Sequence, residues 1–124
     1  MKIKGTYLAL ALAIGAILFF SFKPEDSTPE YLQITAIESV VPGGLGRSRL
    51  VSVDSKGGLE EEKLKNFFSM VGINFGNIRE NDQSITKKIT ELTLQGWELE
   101  SVNTGVYAAD KSTGIFITRY LFKK

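Results

Sequence analysis

Histidine and cysteine are both missing from this chain of 124 residues. Their absence removes imidazole general bases, thiol nucleophiles, zinc sites built on thiolate or imidazole, haem ligation and iron–sulfur clusters together. No disulfide can staple the fold, so packing has to hold it, and no lipid-modified cysteine can anchor it. A one-sided charge is lacking as well. Fifteen basic residues meet 14 acidic ones, for a formal +1. Setting aside Lys2 and Lys4 leaves 13 against 14, a balance with no electrostatic footprint for nucleic acid. Proline is scarce, and two of the three prolines fall together between Lys23 and Glu30.

What is present is a composition able to build one core. Hydrophobic residues make up 43% and charged residues 23%, which excludes disorder of the whole chain. The apolar residues are not spread evenly. Lys2 and Lys4 precede a run from Tyr7 to Phe22 broken only by Gly15 and Ser21, and Lys23-Pro24-Glu25-Asp26 ends it. This pattern predicts a signal peptide or a membrane anchor over residues 1–22. As a helix the 16 positions of the run rise only about 24 Å against a hydrocarbon core of about 30 Å, so spanning recruits Gly5 and Thr6 and lets the lysines snorkel. Ser21-Phe22-Lys23-Pro24 offers no Ala-x-Ala cleavage pattern, which favours an anchor over a cleaved leader. In both cases the lysines stay cytoplasmic and the rest is exported, held at the inner membrane facing the periplasm or released into it.

Residues 23–30 read as an extended linker and residues 31–124 as a single domain. Tyr31–Val41 and Arg49–Asp54 read as strands, separated by the breaker Pro42-Gly43-Gly44-Leu45-Gly46. Asp54-Ser55-Lys56-Gly57-Gly58 is a turn by composition. From Leu59 to Val71, Leu64, Phe67, Phe68 and Val71 match the helical spacing i, i+3, i+4, i+7 behind three glutamates. That predicts a helix, although the two glycines before it equally suit the return arm of a hairpin. Gly72–Ile78 is read as irregular. A main helix is expected from Gln83 to Gln95, with Asp82 as N-cap and Ile85, Ile89 and Leu92 as its apolar stripe. Gly96 and Trp97 are placed to close it as a Schellman motif against Leu92. Residues 97–107 and 115–122 then form a terminal hairpin. In its last strand Ile115, Ile117 and Leu121 point one way and Phe116, Tyr120 and Phe122 the other.

The stretch Leu92-x-x-x-Gly96-Trp97-Glu98-Leu99 after a helix, the closing Tyr120-Leu121-Phe122-Lys123-Lys124 and an early Tyr-containing strand resemble a family of short bacterial domains of unknown function. The resemblance covers roughly residues 30–37 and 82–124, and the stretch from Leu45 to Ile78 departs from it. It implies a small α+β domain and transfers no catalytic residues. The expected architecture is accordingly α+β, a small antiparallel sheet packed against one main helix and preceded by the transmembrane or signal helix.

Candidate sites are few. Gly43-Gly44-Leu45-Gly46-Arg47-Ser48-Arg49 has the glycines and the two arginines of an anion site, but lacks a Gly-Lys-Ser/Thr ending and precedes a strand. With Asn74 and Asn77 in the loop up to Asp82, Arg47 and Arg49 form the candidate ligand site; the competing reading is turn and capping duty. Glu60, Glu61 and Glu62 splay apart on any regular backbone and give no metal site. Arg119, among Ile117 and Leu121, is expected to snorkel or to pair with Glu98 or Glu100, the other reading being an interface anchor. Two apolar strand faces against one helix point to protein association, with Phe116, Ile117, Tyr120 and Phe122 as candidate interface residues. The expected function is a non-enzymatic, exported or membrane-anchored domain that binds itself or another protein, with no cofactor and no metal. A small-ligand or anion-binding module using the Gly43–Arg49 and Asn74–Asp82 loops is the alternative.

Overall fold

The computed structural model describes residues 28–108, 110–111 and 113–124. The expected leader and the linker up to residue 27 lie outside the described residues. Among the described residues no helix is long and apolar enough to cross a membrane. The elements are β1 (Tyr31–Val40), β2 (Ser48–Asp54), β3 (Leu59–Leu64), β4 (Phe68–Ser69), β5 (Gly72–Ile73), α1 (Phe75–Leu94), β6 (Glu98–Ala108) and β7 (Gly114–Lys123). A single 3-10 turn at Pro42–Gly44 links β1 to β2.

Five of the strands make one antiparallel sheet in the spatial order β3-β2-β1-β7-β6. The expected α+β architecture of one antiparallel sheet and one main helix is therefore present. β1 is central because its alternation serves both neighbours. Leu32, Ile34 and Ala36 turn towards α1, and their partners on β7 are Phe122, Tyr120 and Thr118. The core lies between this face and the helix, with Ile34 and Phe122 at zero exposure and Leu50, Leu64, Ile85, Leu92 and Trp97 around them. Each such side chain is stabilised by about 1.5 to 3 kcal/mol through burial.

The Asp54–Gly58 turn forms as composition predicts, with Asp54 Oδ1 accepting from the N–H groups of Lys56 and Gly58, both at 2.8 Å. Beyond this turn the chain is extended, which corrects the helical reading of Leu59–Val71. Leu59–Leu64 is the return strand of the hairpin, paired along β2 from Val53↔Leu59 to Ser48↔Leu64. The glutamates alternate: Glu60 and Glu62 reach Lys88 and Ser84 on α1, and Glu61 reaches Arg49 on the opposite face at 3.1 Å. Leu64 enters the core, whereas Val71 is exposed, so the helical spacing of the apolar residues is coincidental.

The helix begins eight residues before its expected start. Asn74, not Asp82, is its N-cap, its Oδ1 accepting from the N–H of Asn77 at 3.1 Å. Asp82 lies exposed within the helix. Its end agrees with expectation: Trp97 N–H donates to Leu92 O and Gly96 N–H to Thr93 O, both at 3.0 Å, with Gly96 at φ +88°. These are the two bonds of a Schellman closure, and the left-handed position explains the glycine. Lys124 Nζ adds a bond to Gln95 O at 2.7 Å and lies 5.8 Å from the centre of the Trp97 ring.

Candidate functional site

The face of the sheet turned away from α1 is not covered by the helix. Register fixes its members. Gln33, Thr35 and Ile37 of β1 lie opposite Leu121, Arg119 and Ile117 of β7 on one side and opposite Val53, Val51 and Arg49 of β2 on the other. The helix and the ring of Phe67, which packs 5.6 Å from Phe116, occupy the other side. The Phe67–Phe75 segment therefore does not cover Ile117 and Leu121. Val53 and Leu59 are exposed, and Ile117 and Leu121 are half-buried only by their strand neighbours.

Two features give this face character. Gly105 lies opposite Ile117, and a side chain there would meet nothing within 4 Å. The missing side chain leaves a shallow cavity of about 340 Å³ lined by Asn103, Gly105, Tyr107, Ile117 and Arg119. Arg119 sits at the middle of the face, between Thr35 and Asn103, and forms no ion pair among the described residues. The expected pairing with Glu98 or Glu100 is absent there; the register opposes Glu98 to Lys123.

A polar cluster lies on the other side, beneath the helix. Asn81 is 1% exposed, accepts from Lys65 N–H at 2.7 Å, and donates to Lys65 O at 2.9 Å and to Glu38 Oε1 at 3.0 Å. Burial raises the Glu38 carboxyl above its ordinary range, the Asn81 bond works against that rise, and Asp82 adds to it. Tyr120 is raised by burial first and then by the charges of Glu38 and Asp82. A carboxylate held by one amide and backed by a phenol fixes the helix on the sheet; among the described residues it has neither a second acid nor a nucleophile bonded to it.

The residues proposed for a ligand site are spent inside the fold or apart from one another. Asn74 caps the helix, and Asn77 Nδ2 donates to Asn66 O at 2.7 Å. Arg49 pairs with Glu61 on the face away from the helix, and Arg47 is exposed in the loop beyond the 3-10 turn. Gly46 in that loop has a packing reason: a Cβ on it would stand 2.3 Å from Asn66 Oδ1. Of the residues proposed for an interface, Ile117 lies on the open face. Phe122 is wholly buried in the core, Tyr120 packs against that core, and Phe116 meets Phe67, so these three sit on the helix side because their strand parity puts them there.

Among the described residues no group of three or more histidine, cysteine, aspartate or glutamate side chains could hold a metal ion. No protein-family model matches the chain, and no curated protein gives a significant match.

Proposed function

We propose that this chain is an exported or membrane-tethered domain that works by binding protein through the sheet face opposite α1. The observation that carries this reading is a sheet with only one face covered among the described residues, the other presenting Val51, Val53, Ile117 and Leu121 around Arg119, which has no ion pair there. A face on which Arg49 is already paired with Glu61 while Arg119 has no ion pair among the described residues, with aliphatic side chains nearby, suits a partner that offers aliphatic side chains and one carboxylate, because the arginine is then paired and desolvated together with the apolar contact. The tether rests on the sequence, on Lys2 and Lys4 before the Tyr7–Phe22 run. The Gly96-Trp97 junction behind the resemblance to short domains of unknown function does folding work and brings no activity with it.

Chemical cross-linking of the full chain in membranes tests this. Ile117→Asp or Arg119→Glu is expected to abolish a cross-linked adduct that Val71→Asp, on an exposed residue of the β4–β5 hairpin, leaves intact. Adducts to a protein other than a second copy that are unaffected by Ile117→Asp and Arg119→Glu would overturn the assignment of the face, and a C-terminal alkaline phosphatase fusion without activity would overturn export.

A further inference from the structure

The two edges of the sheet are unequal. β3 closes one side with Glu60, Glu61, Glu62 and Lys63 in a six-residue strand, and two of those acids are engaged by α1. Consecutive charges of this kind keep an edge from pairing with another chain. β6 closes the other side with eleven residues, and its only charges, Glu98 and Glu100, fall in its first three positions, where the register also shifts. From Ser101 to Ala108 the strand has no charge, no proline and no register shift. Among the described residues no segment bonds its outer side. Val102, Val106 and Tyr107 are 49%, 64% and 65% exposed beside that free backbone.

We infer that the outer edge of β6 pairs antiparallel with β6 of a second copy, with the two-fold axis near Thr104, giving one continuous ten-stranded sheet. The occupant is a second copy because the segment is complementary to itself. Pairing about Thr104 sets Val102 of one copy opposite Val106 of the other, twice, on the helix side. Glu100 falls opposite Ala108, so within the stretch 100–108 no two like charges meet. Tyr107 comes to lie opposite Ser101 on the open side. This contact uses the edge and not the open face, so it stands or fails separately from the proposed function.

The absence of cysteine makes the test direct, since every introduced thiol is the only one in the chain. Single cysteines are placed in the full chain in membranes at Val102, Asn103, Thr104, Gly105 and Val106, with Thr35→Cys on the open face and Glu61→Cys on β3 as comparisons, and oxidised mildly. The interchain disulfide is expected to peak at Thr104→Cys, where residues facing each other across a two-fold are spaced as a disulfide requires, and to be absent at Thr35 and Glu61. In detergent, Thr104→Lys is expected to weaken dimerisation about tenfold or more by setting two ammonium groups side by side, while Thr104→Val leaves it unchanged and both keep the thermal transition. A disulfide strongest at Thr35 would mean a face-to-face dimer, and one at Glu61 the other edge. Either result, or none at any position, overturns the inference.

Discussion

Asn81 holds three elements together through one buried amide, and its replacement gives the sharpest test of how the helix is fixed. Its side chain serves the N–H and C=O of Lys65, just past β3, and the carboxylate of Glu38 on β1. Asn81→Ala leaves all three without that partner. An unsatisfied buried polar group costs about 1 to 3 kcal/mol, and because these groups are only partly buried the low end applies, giving about 3 kcal/mol in total. For a domain of this size that corresponds to a fall in melting temperature of about 12 to 24 °C. Asn81→Asp separates hydrogen bonding from simple volume. It keeps the acceptor for Lys65 N–H, loses both donated bonds and sets a second carboxylate against Glu38, so at neutral pH it costs at least as much as alanine. The introduced acid has its pKa raised by Glu38, so its penalty is full above that pKa and fades as pH falls and a proton returns to the pair. Thermal denaturation followed by circular dichroism from pH 4 to 7.5, each variant against the parent chain, reads both effects. Asp82→Asn, on the exposed neighbour, is the control and is expected to stay within about 0.5 kcal/mol. An alanine variant within about 1 kcal/mol of the parent, or an aspartate penalty that does not change with pH, would refute the reasoning.

Glu38→Gln is expected to be at least as stable as the parent at neutral pH, with the difference closing as pH falls. A carboxyl raised by burial contributes its stability below its unfolded value and loses it as pH rises through the folded one, and denaturation midpoints across that range check the sign. At the helix stop, Gly96→Ala is expected to cost about 1 to 2 kcal/mol, from the left-handed backbone alone, because its Cβ would meet only the Lys124 side chain, no closer than 3.6 Å. Trp97→Ala is expected to cost about 3 to 5 kcal/mol as the indole leaves the core, measured by urea denaturation; a cost under 1 kcal/mol would place the ring outside it.

Strands bounded by turn residues are legible in the sequence, and so is the Gly96-Trp97 closure, because both depend on contacts only a few residues apart. The start of α1 is not. Its inward stripe runs Ile78, Asn81, Ile85, Ile89, Leu92, and the asparagine at the second position interrupts the apolar repeat that announces a helix. Asp82 then resembles a cap, while the true one, Asn74, precedes a first turn containing Phe75 and Gly76, which carry little helical signal. The segment Leu59–Leu64 misleads for the opposite reason. Its acids and apolar residues imitate an amphipathic helix, and only the arrival of Lys88 and Ser84 from α1 explains glutamates on a strand. Apolar residues on both sides of β7 are legible, and strand parity alone separates Ile117 and Leu121 from Phe116, Tyr120 and Phe122. Which set the helix covers is not, since that depends on a register set by β1.

Strand order, which no local signal encodes, turns these separate features into one arrangement. With β1 central and β6 last, the charged strand closes one edge and the uncharged one the other. Antiparallel pairing across β6 within one sheet requires a two-fold axis perpendicular to the sheet. That operation keeps both helices on one side and both open faces on the other, so the two Arg119 guanidinium groups and their surrounding aliphatic residues come to lie on one doubled surface. Two such surfaces would bind a partner with two matching segments far more tightly than either would alone, through effective concentration and without any new contact. The proposed membrane tether would act the same way on the edge, because confining the chains to a layer favours a pairing too weak for dilute solution. A guarded β3 and a bare β6 thus fit the proposed edge pairing, and an arginine without an ion pair on the open face fits the proposed partner contact, so that one strand order serves both proposals without either using the other's surface.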